Sequence, residues 1–190
     1  MLNTYYSMAE HLDDIELLHQ FKNEATKEAA YTRIIKKYQE KLYWHIRRMV
    51  VEHEDANDVL QNMFIKVWKN LENFREDSQL YTWMYRIATN ESLTFLEQQK
   101  KRSSVSISDD DSYISNKLVA DKDFDEKKLE WKLQRAIQQL PEKQKAVFNL
   151  RYFEEMPYEQ MSKVLETSEG ALKASYHHAV KKIEDYILNR

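Results

Sequence analysis

Apolar residues recur along this chain at three- and four-residue steps, the period of helices that bury one face. Ile15, Leu17, Leu18 and Phe21 predict a first helix that follows Asp13-Asp14. Tyr31, Ile34, Ile35, Tyr38, Leu42 and Ile46 predict a second, running through about Val50. The cleanest pattern is the third: Ala56, Val59, Leu60, Met63, Phe64, Val67 and Leu71. A polar break from Asn73 to Ser78 follows, with Ser78 placed to N-cap a fourth helix through Trp83, Met84, Ile87 and Ala88 towards Lys101.

From Ser103 to about Asp123 the apolar period stops and Ser and Asp dominate, which reads as a flexible acidic linker. Beyond it, Leu129, Leu133, Ile137 and Leu140 return to helical spacing, and Pro141 suits the first turn of a helix spanning PEKQKAVFNLRYFEE. A break at Met156-Pro157 leads to a short helix, Tyr158 to about Leu165. Thr167-Ser168 then caps a last long helix that runs to the C-terminus. Short helix, tight turn and longer helix form the outline of a helix-turn-helix. The expected architecture is all-α: two small helical domains, 1–102 and 124–190, joined by a linker at 103–123.

Composition agrees. One Gly and 2 Pro are few for a chain with many turns, and long helices need the fewest. Hydrophobic residues make up 42% and charged residues 32%, with a mean hydropathy of -0.79. No apolar run reaches the roughly 20 residues of a membrane span, and the first residues carry no signal-peptide pattern. Zero Cys excludes disulfides and is compatible with a cytoplasmic protein. A net charge of -3 is awkward for a nucleic-acid binder, but the acidic linker contributes to it and a local basic face remains open.

At about 100° per residue, Leu172, Tyr176, Ala179 and Ile183 fall on the inward side of the last helix. Lys173, Ala174, His177, His178 and Lys181 cluster outward, with Ser175 at the edge. That face suits a DNA major groove, where Lys contacts phosphate or guanine and Ala allows close approach; a merely solvated face has the same pattern. Neighbouring His residues about 100° apart cannot easily share a metal ion, so no metal site is expected. Gly170 lies where the backbone could approach a neighbouring helix or a phosphate. On the third helix, Asp58, Gln61, Asn62, Ile65 and Lys69 face outward with Trp68 at the margin: a docking surface, or isolated exposed apolar residues. The fourth joins Tyr81, Trp83 and Tyr85 to Arg86, Asn90 and Lys100-Lys101-Arg102, suited to unstacked bases of single-stranded DNA, or simply core.

These segments carry a family resemblance. Asp58–Trp68 (DVLQNMFIKVW), Phe74–Ser78 (FREDS) and Tyr81–Asn90 (YTWMYRIATN) resemble region 2 of extracytoplasmic-function sigma factors. Leu140–Gln144 (LPEKQ), Tyr158–Met161 (YEQM) and Gly170–His178 (GALKASYHH) resemble their region 4. The resemblance implies a non-enzymatic protein without cofactor that brings RNA polymerase to promoters. Asp58, Gln61, Ile65 and Trp68 match the segment that docks on the coiled coil of the beta-prime subunit, and the beta subunit is an implied partner. Phe74, Arg75 and Asp77 match the loop that holds a flipped minus-ten base. Asn90 matches a position at that base's pocket, and Arg86 and Lys101 lie where the strand is gripped. Lys173, Ala174, Ser175, His177 and His178 match the helix that reads the minus-thirty-five element, with Lys181 one turn on. An anti-sigma partner is implied as well. Two departures stand out: Glu76 where members often have Gly, and Ala174, Ser175 and the two His where Arg or Ser is commoner. The rival reading is a stand-alone helix-turn-helix regulator, which would need neither the third-helix patch nor the Phe74 loop.

Overall fold

The computed structural model describes residues 2–103 and 129–188, with side chains from 11 to 102 and from 132 to 188. Of the stretch read as a linker, 103–123, only Ser103 is described, as the last residue of a helix; residues 104–123 and the Leu129 side chain lie outside the described residues. Among these residues there are eight α-helices and no strand: α1 (Leu2–Phe21), α2 (Lys27–Val50), α3 (His53–Asn70), α4 (Leu80–Ser103), α5 (Leu129–Gln138), α6 (Glu142–Tyr152), α7 (Tyr158–Leu165) and α8 (Glu169–Leu188).

The spine of the first half is α2, which packs on α1, α3 and α4. Its buried residues Ala30, Ile34, Tyr38, Leu42, Ile46 and Met49 recur at three- and four-residue steps, so one stripe serves all three neighbours. Helix α1 begins well before the expected start, leaving Asp13-Asp14 inside it. An acidic pair imitates an N-terminal signal, but Asp14 is buried and serves packing instead. Tyr38 Oη donates to its carboxylate at 2.6 Å and Lys37 Nζ at 2.7 Å, pinning α1 to α2. Leu17, Leu18 and Phe21 are buried as expected, whereas Ile15 is exposed.

In the second half, α8 packs on α5, α6 and α7. Phe148 of α6 stacks on Tyr176 of α8 at 5.9 Å within a cluster of Ala136, Ile137, Leu140, Ala179 and Ile183. Pro141 is the N-cap residue of α6 rather than part of its first turn, and α6 stops at Tyr152. The expected continuation through Glu155 fails because Glu155 takes a φ of 50° and turns the chain. Ser168 caps α8 as read: its carbonyl accepts Leu172 N–H at 3.0 Å and its Oγ accepts Ala171 N–H at 3.4 Å.

The halves lie against one another. Helix α7 packs on α4, and α6 packs on both α2 and α4. The middle of helix α6 is consequently buried all round, from Lys145 to Leu150, while Lys143 and Tyr152 near its ends stay exposed. The apolar cluster of the first half continues into Ala146, Val147, Leu150, Met156, Met161 and Val164.

Near this seam, His45 of α2 is fully buried, with Nε2 2.9 Å from Thr89 Oγ1 and its ring against Tyr85. Burial, reinforced by the nearby Arg48 cation, pushes its pKa from 6.5 down to about 3. His45 is therefore neutral when folded and binds a proton more readily when unfolded. Its contribution to stability is complete above pH 6.5 and is lost as pH falls towards 3, by about 1.4 kcal/mol per pH unit within that window. Burial shifts Glu154 upward, which acts in the opposite sense, so the informative quantity is a difference. Urea unfolding between pH 6 and pH 4 should show stability falling more steeply for the parent than for His45→Gln. Parallel slopes would mean that His45 does not stay neutral in the fold.

Candidate nucleic-acid interface

Helix α7, the turn at Glu166–Ser168 and helix α8 make the helix-turn-helix. No glycine closes α7; Glu166 does, with φ 50° and ψ 42°. Thr167 Oγ1 donates to Leu165 O at 2.9 Å, tightening the turn. Leu172, Ala179 and Ile183 are buried and Tyr176 is half-buried, so the opposite face is presented to solvent. Lys173, Ala174, His177, His178 and Lys181 are exposed together there, and Ser175 is intermediate, at the edge. Lys173 is steadied by Glu169 at 3.5 Å and by the Tyr158 ring of α7, 5.5 Å from its centroid. A Cβ added to Gly170 would meet nothing within 4 Å, so the residue makes no close approach to a neighbouring helix. The rings of His177 and His178 are 6.0 Å apart and splayed by 57°. Among the described residues no group of three or more His, Cys, Asp or Glu is placed to hold a metal ion.

On α3, Asp58, Gln61, Asn62, Ile65 and Lys69 are exposed on the face opposite the buried Ala56, Val59, Met63 and Val67. Trp68 differs from the others. Its ring meets Phe21 edge-on at 5.3 Å and Tyr31 at 4.9 Å, and Lys27 Nζ lies 5.6 Å from its centroid. Tyr31 Oη donates in turn to Phe64 O. One side of Trp68 thus closes the junction of α1, α2 and α3, while the other meets solvent beside Ile65.

The loop between α3 and α4 holds Phe74 against Trp83, with ring centroids 5.1 Å apart. Arg75 and Asp77 are exposed. Glu76 has a φ of 59°, in the left-handed region, and its carboxylate lies 3.4 Å from Lys22 Nζ. A glycine would take this left-handed conformation without strain. Helix α4 begins at Leu80, so Gln79 and not Ser78 occupies the cap position, its carbonyl accepting Trp83 N–H at 3.1 Å. Along α4, Arg86 and Asn90 are exposed on one stripe, and Lys101 is exposed near its end. Tyr81 and Trp83 are half-buried, but Tyr85 is fully buried and cannot stack on a base here.

Tyr85 instead meets residues that the sequence pattern had not singled out. Its hydroxyl donates to Glu154 Oε2 at 2.6 Å, and burial shifts its pKa upward. Arg48 donates to Glu154 Oε1 at 3.1 Å, with its guanidinium 4.1 Å from the centroid of Phe153. Gln138 Nε2 donates to Arg48 O at 2.9 Å. Arg86 pairs with Glu166, and Lys100 pairs with Glu142 at 2.6 Å. Lys145, also buried, donates to Gln138, and burial pushes its pKa from 10.5 down to about 8. Nothing local in the sequence marks these partners, because most of the contacts join residues 42 to 106 positions apart.

Comparison with known proteins places the two halves in order. Sigma-70 region 2 matches residues 34–102, and Sigma-70 region 4 matches residues 130–183. The chain is 32% identical to the RNA polymerase sigma-H factor of Pseudomonas aeruginosa over 82% of its own length and 84% of that protein. It is 31% identical to the ECF RNA polymerase sigma-E factor of Haemophilus influenzae over 95% and 98% respectively. In fold it is similar to CnrH, solved in complex with the cytosolic domain of CnrY (TM-score 0.67, 18% identity, 92% of this chain and 97% of that one). It is also similar to the sigma factor RpoE solved with the anti-sigma factor NepR from Bartonella quintana (TM-score 0.62, 16% identity, 83% and 96%).

Two substitutions separate packing from surface. Trp68→Ala should cost about 2 kcal/mol by removing the ring that packs on both Phe21 and Tyr31, while Ile65→Ala should stay within about 0.5 kcal/mol in urea melts. Equal losses would contradict the split role given to Trp68. Glu76→Gly should raise stability by about 0.5 kcal/mol, relief of the left-handed backbone outweighing the added unfolded-state freedom. A loss of similar size would mean that the Lys22 contact dominates.

Proposed function

The chain belongs to the sigma-70 family, in its extracytoplasmic-function group, and from that premise we propose how its two halves divide the work of an RNA polymerase sigma factor. Residues 1–102 dock on core polymerase and capture melted minus-ten DNA. Residues 124–190 read duplex DNA at minus-thirty-five, and 103–123 tether the two. Asp58, Gln61, Ile65 and the solvent side of Trp68 meet the beta-prime coiled coil, and the beta subunit is a further contact. Phe74, Arg75 and Asp77 hold a flipped base, with Asn90 at its pocket and Arg86 and Lys101 on the strand. Lys173, Ala174, Ser175, His177, His178 and Lys181 face the upstream element, with Ala174 giving room for close approach and the His rings donating to base edges or phosphates.

The observation that carries this reading is the coexistence, on one chain, of a solvent-facing α3 patch and an outward Lys/His face on α8. A stand-alone helix-turn-helix regulator would use the second and have no need of the first. Each contact is modest alone; polymerase holding both halves turns weak grips into a specific one through effective concentration. The protein acts in the cytoplasm, catalyses nothing itself, uses no cofactor and is restrained by an anti-sigma factor. Among the described residues no helix is long and apolar enough to cross a membrane, which is compatible with that setting.

Transcription in vitro with core polymerase over a genomic promoter library tests the proposal and should yield a shared bipartite motif. No association with core polymerase, in the absence of any inhibitor, would overturn it. Ile65→Ala should weaken capture of core polymerase by roughly threefold to tenfold, about 1 kcal/mol for an interface residue, with the melting curve unchanged. Lys173→Ala should flatten sequence preference at the upstream element by about 1–3 kcal/mol if it reads a base, or lower affinity uniformly if it holds a phosphate. An unaltered binding profile would remove Lys173 from the interface.

A further inference from the structure

Two of the side chains that α8 turns towards solvent are imidazoles, and their placement allows a chemistry that lysine does not. Around the helix, His177 lies about 40° from Lys173 on one side and about 40° from Lys181 on the other. His178 stands about 140° round from Lys173 and about 7.5 Å along the axis, so these two occupy opposite flanks of one face. A major groove about 12 Å wide presents a phosphate wall to each flank and base edges between them. The two rings are 6.0 Å apart and splayed by 57°, so they aim at separate acceptors. Among the described residues neither imidazole has a hydrogen-bond or ion-pair partner. The charged groups around them are engaged elsewhere or lie further off. On α8 itself Glu169 holds Lys173 at 3.5 Å, and the exposed Glu184 and Asp185 come one turn after Lys181. From α7, Tyr158 lies against Lys173 and Arg151, and Glu159 pairs with Lys163 at 3.7 Å. From α6, Gln144 accepts from Lys182 at 3.1 Å, Glu142 pairs with Lys100, and Arg151 and Tyr152 lie near Tyr176. Lys132 and Arg135 belong to α5, which packs on the buried side of α8 through Ala136 and Ile137.

We infer that the grip of α8 on duplex DNA is proton-linked: His177 and His178 take up protons from solvent as they meet acceptors on the DNA, so binding strengthens as pH falls. The inference rests on the minus-thirty-five reading of α8 above and adds a control of that same face. A neutral imidazole offers one N–H donor and no charge, whereas the protonated ring offers two donors and a full positive charge. At both places DNA supplies acceptors, phosphate oxygens on the walls of the groove and guanine N7 and O6 on its floor. Anionic neighbours and acceptors favour the charged ring, so the protonated fraction is higher in the complex than in the free protein. The sign follows from linkage. The added grip is complete at a pH where both rings are charged before binding, and it is lost as pH rises through the range in which the bound rings release their protons. Histidine is the side chain whose charge ordinarily changes between pH 5 and 8. Lysine stays charged across that range and supplies a constant grip beside the variable one.

The test uses core polymerase loaded with the full-length chain or with His177→Gln/His178→Gln, titrated with duplex promoter DNA from the transcription library at pH 6, 7 and 8 and constant ionic strength. The parent should bind more tightly than the double variant at pH 6, and that advantage should shrink about tenfold by pH 8. Taking the ratio of the two proteins cancels any pH dependence of the polymerase itself. His177→Arg/His178→Arg, charged at every pH used, should keep the advantage throughout. Scrambling the upstream element separates the two acceptors: a slope that survives assigns the protons to phosphate contacts, and one that disappears assigns them to base edges. An advantage that is the same at all three pH values overturns the inference, as does a double Gln variant that binds like the parent at pH 6. Lys173→Ala without effect on binding at any pH would instead remove α8 from the DNA, so failure of the underlying reading is distinguishable from failure of the proton linkage.

Discussion

Glu154 imposes the constraint on which the arrangement of this molecule depends. A carboxylate withdrawn from water must be met by a cation and by donors, or it costs several kcal/mol. It lies just past the end of α6 and is only 10% exposed, yet both of its side-chain partners, Arg48 and Tyr85, come from the first half. Arg48 is equally committed: its guanidinium bonds Glu154 and lies over Phe153, and its own carbonyl accepts from Gln138. Three residues of the second half, Gln138, Phe153 and Glu154, are therefore referred to one turn of α2. With that point held, α7 is brought against α4 and the remaining pairs, Arg86 with Glu166 and Lys100 with Glu142, close along it.

Apolar burial holds each half together. Within the first half the α2 stripe of Ile34, Leu42, Ile46 and Met49 is inaccessible to water, and α1 is fastened by Asp14 and by the Phe21, Tyr31 and Trp68 rings. Within the second, Phe148, Ala179 and Ile183 fill the space between α5, α6 and α8. Such cores are stabilised by burial alone and have no competing partner. Across the seam the apolar cluster continues through Ala146, Val147, Leu150, Met156, Met161 and Val164, and the ion pairs are added at its margin.

The turns add a second economy. With one Gly in the chain, and that one in α8, the sharp reversals fall to Val51, Glu76, Glu155 and Glu166, all at positive φ. Each stores roughly 1 kcal/mol of backbone strain that the adjoining helices must hold. Two of the four, Glu76 and Glu166, also make ion pairs with residues distant in sequence, so strained positions coincide with the loop before α4 and with the turn of the helix-turn-helix.

Whatever depends on helical period could be read from the sequence. The all-α class, most helix limits, the inward Leu172, Ala179 and Ile183, and the outward Lys173, His177 and His178 all follow from spacing within a few turns. The misreadings arise where a local signal had a distant use. Asp13-Asp14 looks like a helix start until Lys37 and Tyr38 arrive to bury Asp14. Trp68, at the margin of the outward face by spacing, is closed on one side by Phe21 and Tyr31, and Tyr85, which spacing left open between base stacking and core, is core with its hydroxyl on Glu154. Periodicity determined which side of each helix avoids water, because that choice is made among neighbours a turn apart. Only the tertiary structure decided which cation faces which carboxylate across the seam, because that choice is made between residues 42 to 106 positions apart with no pattern linking them.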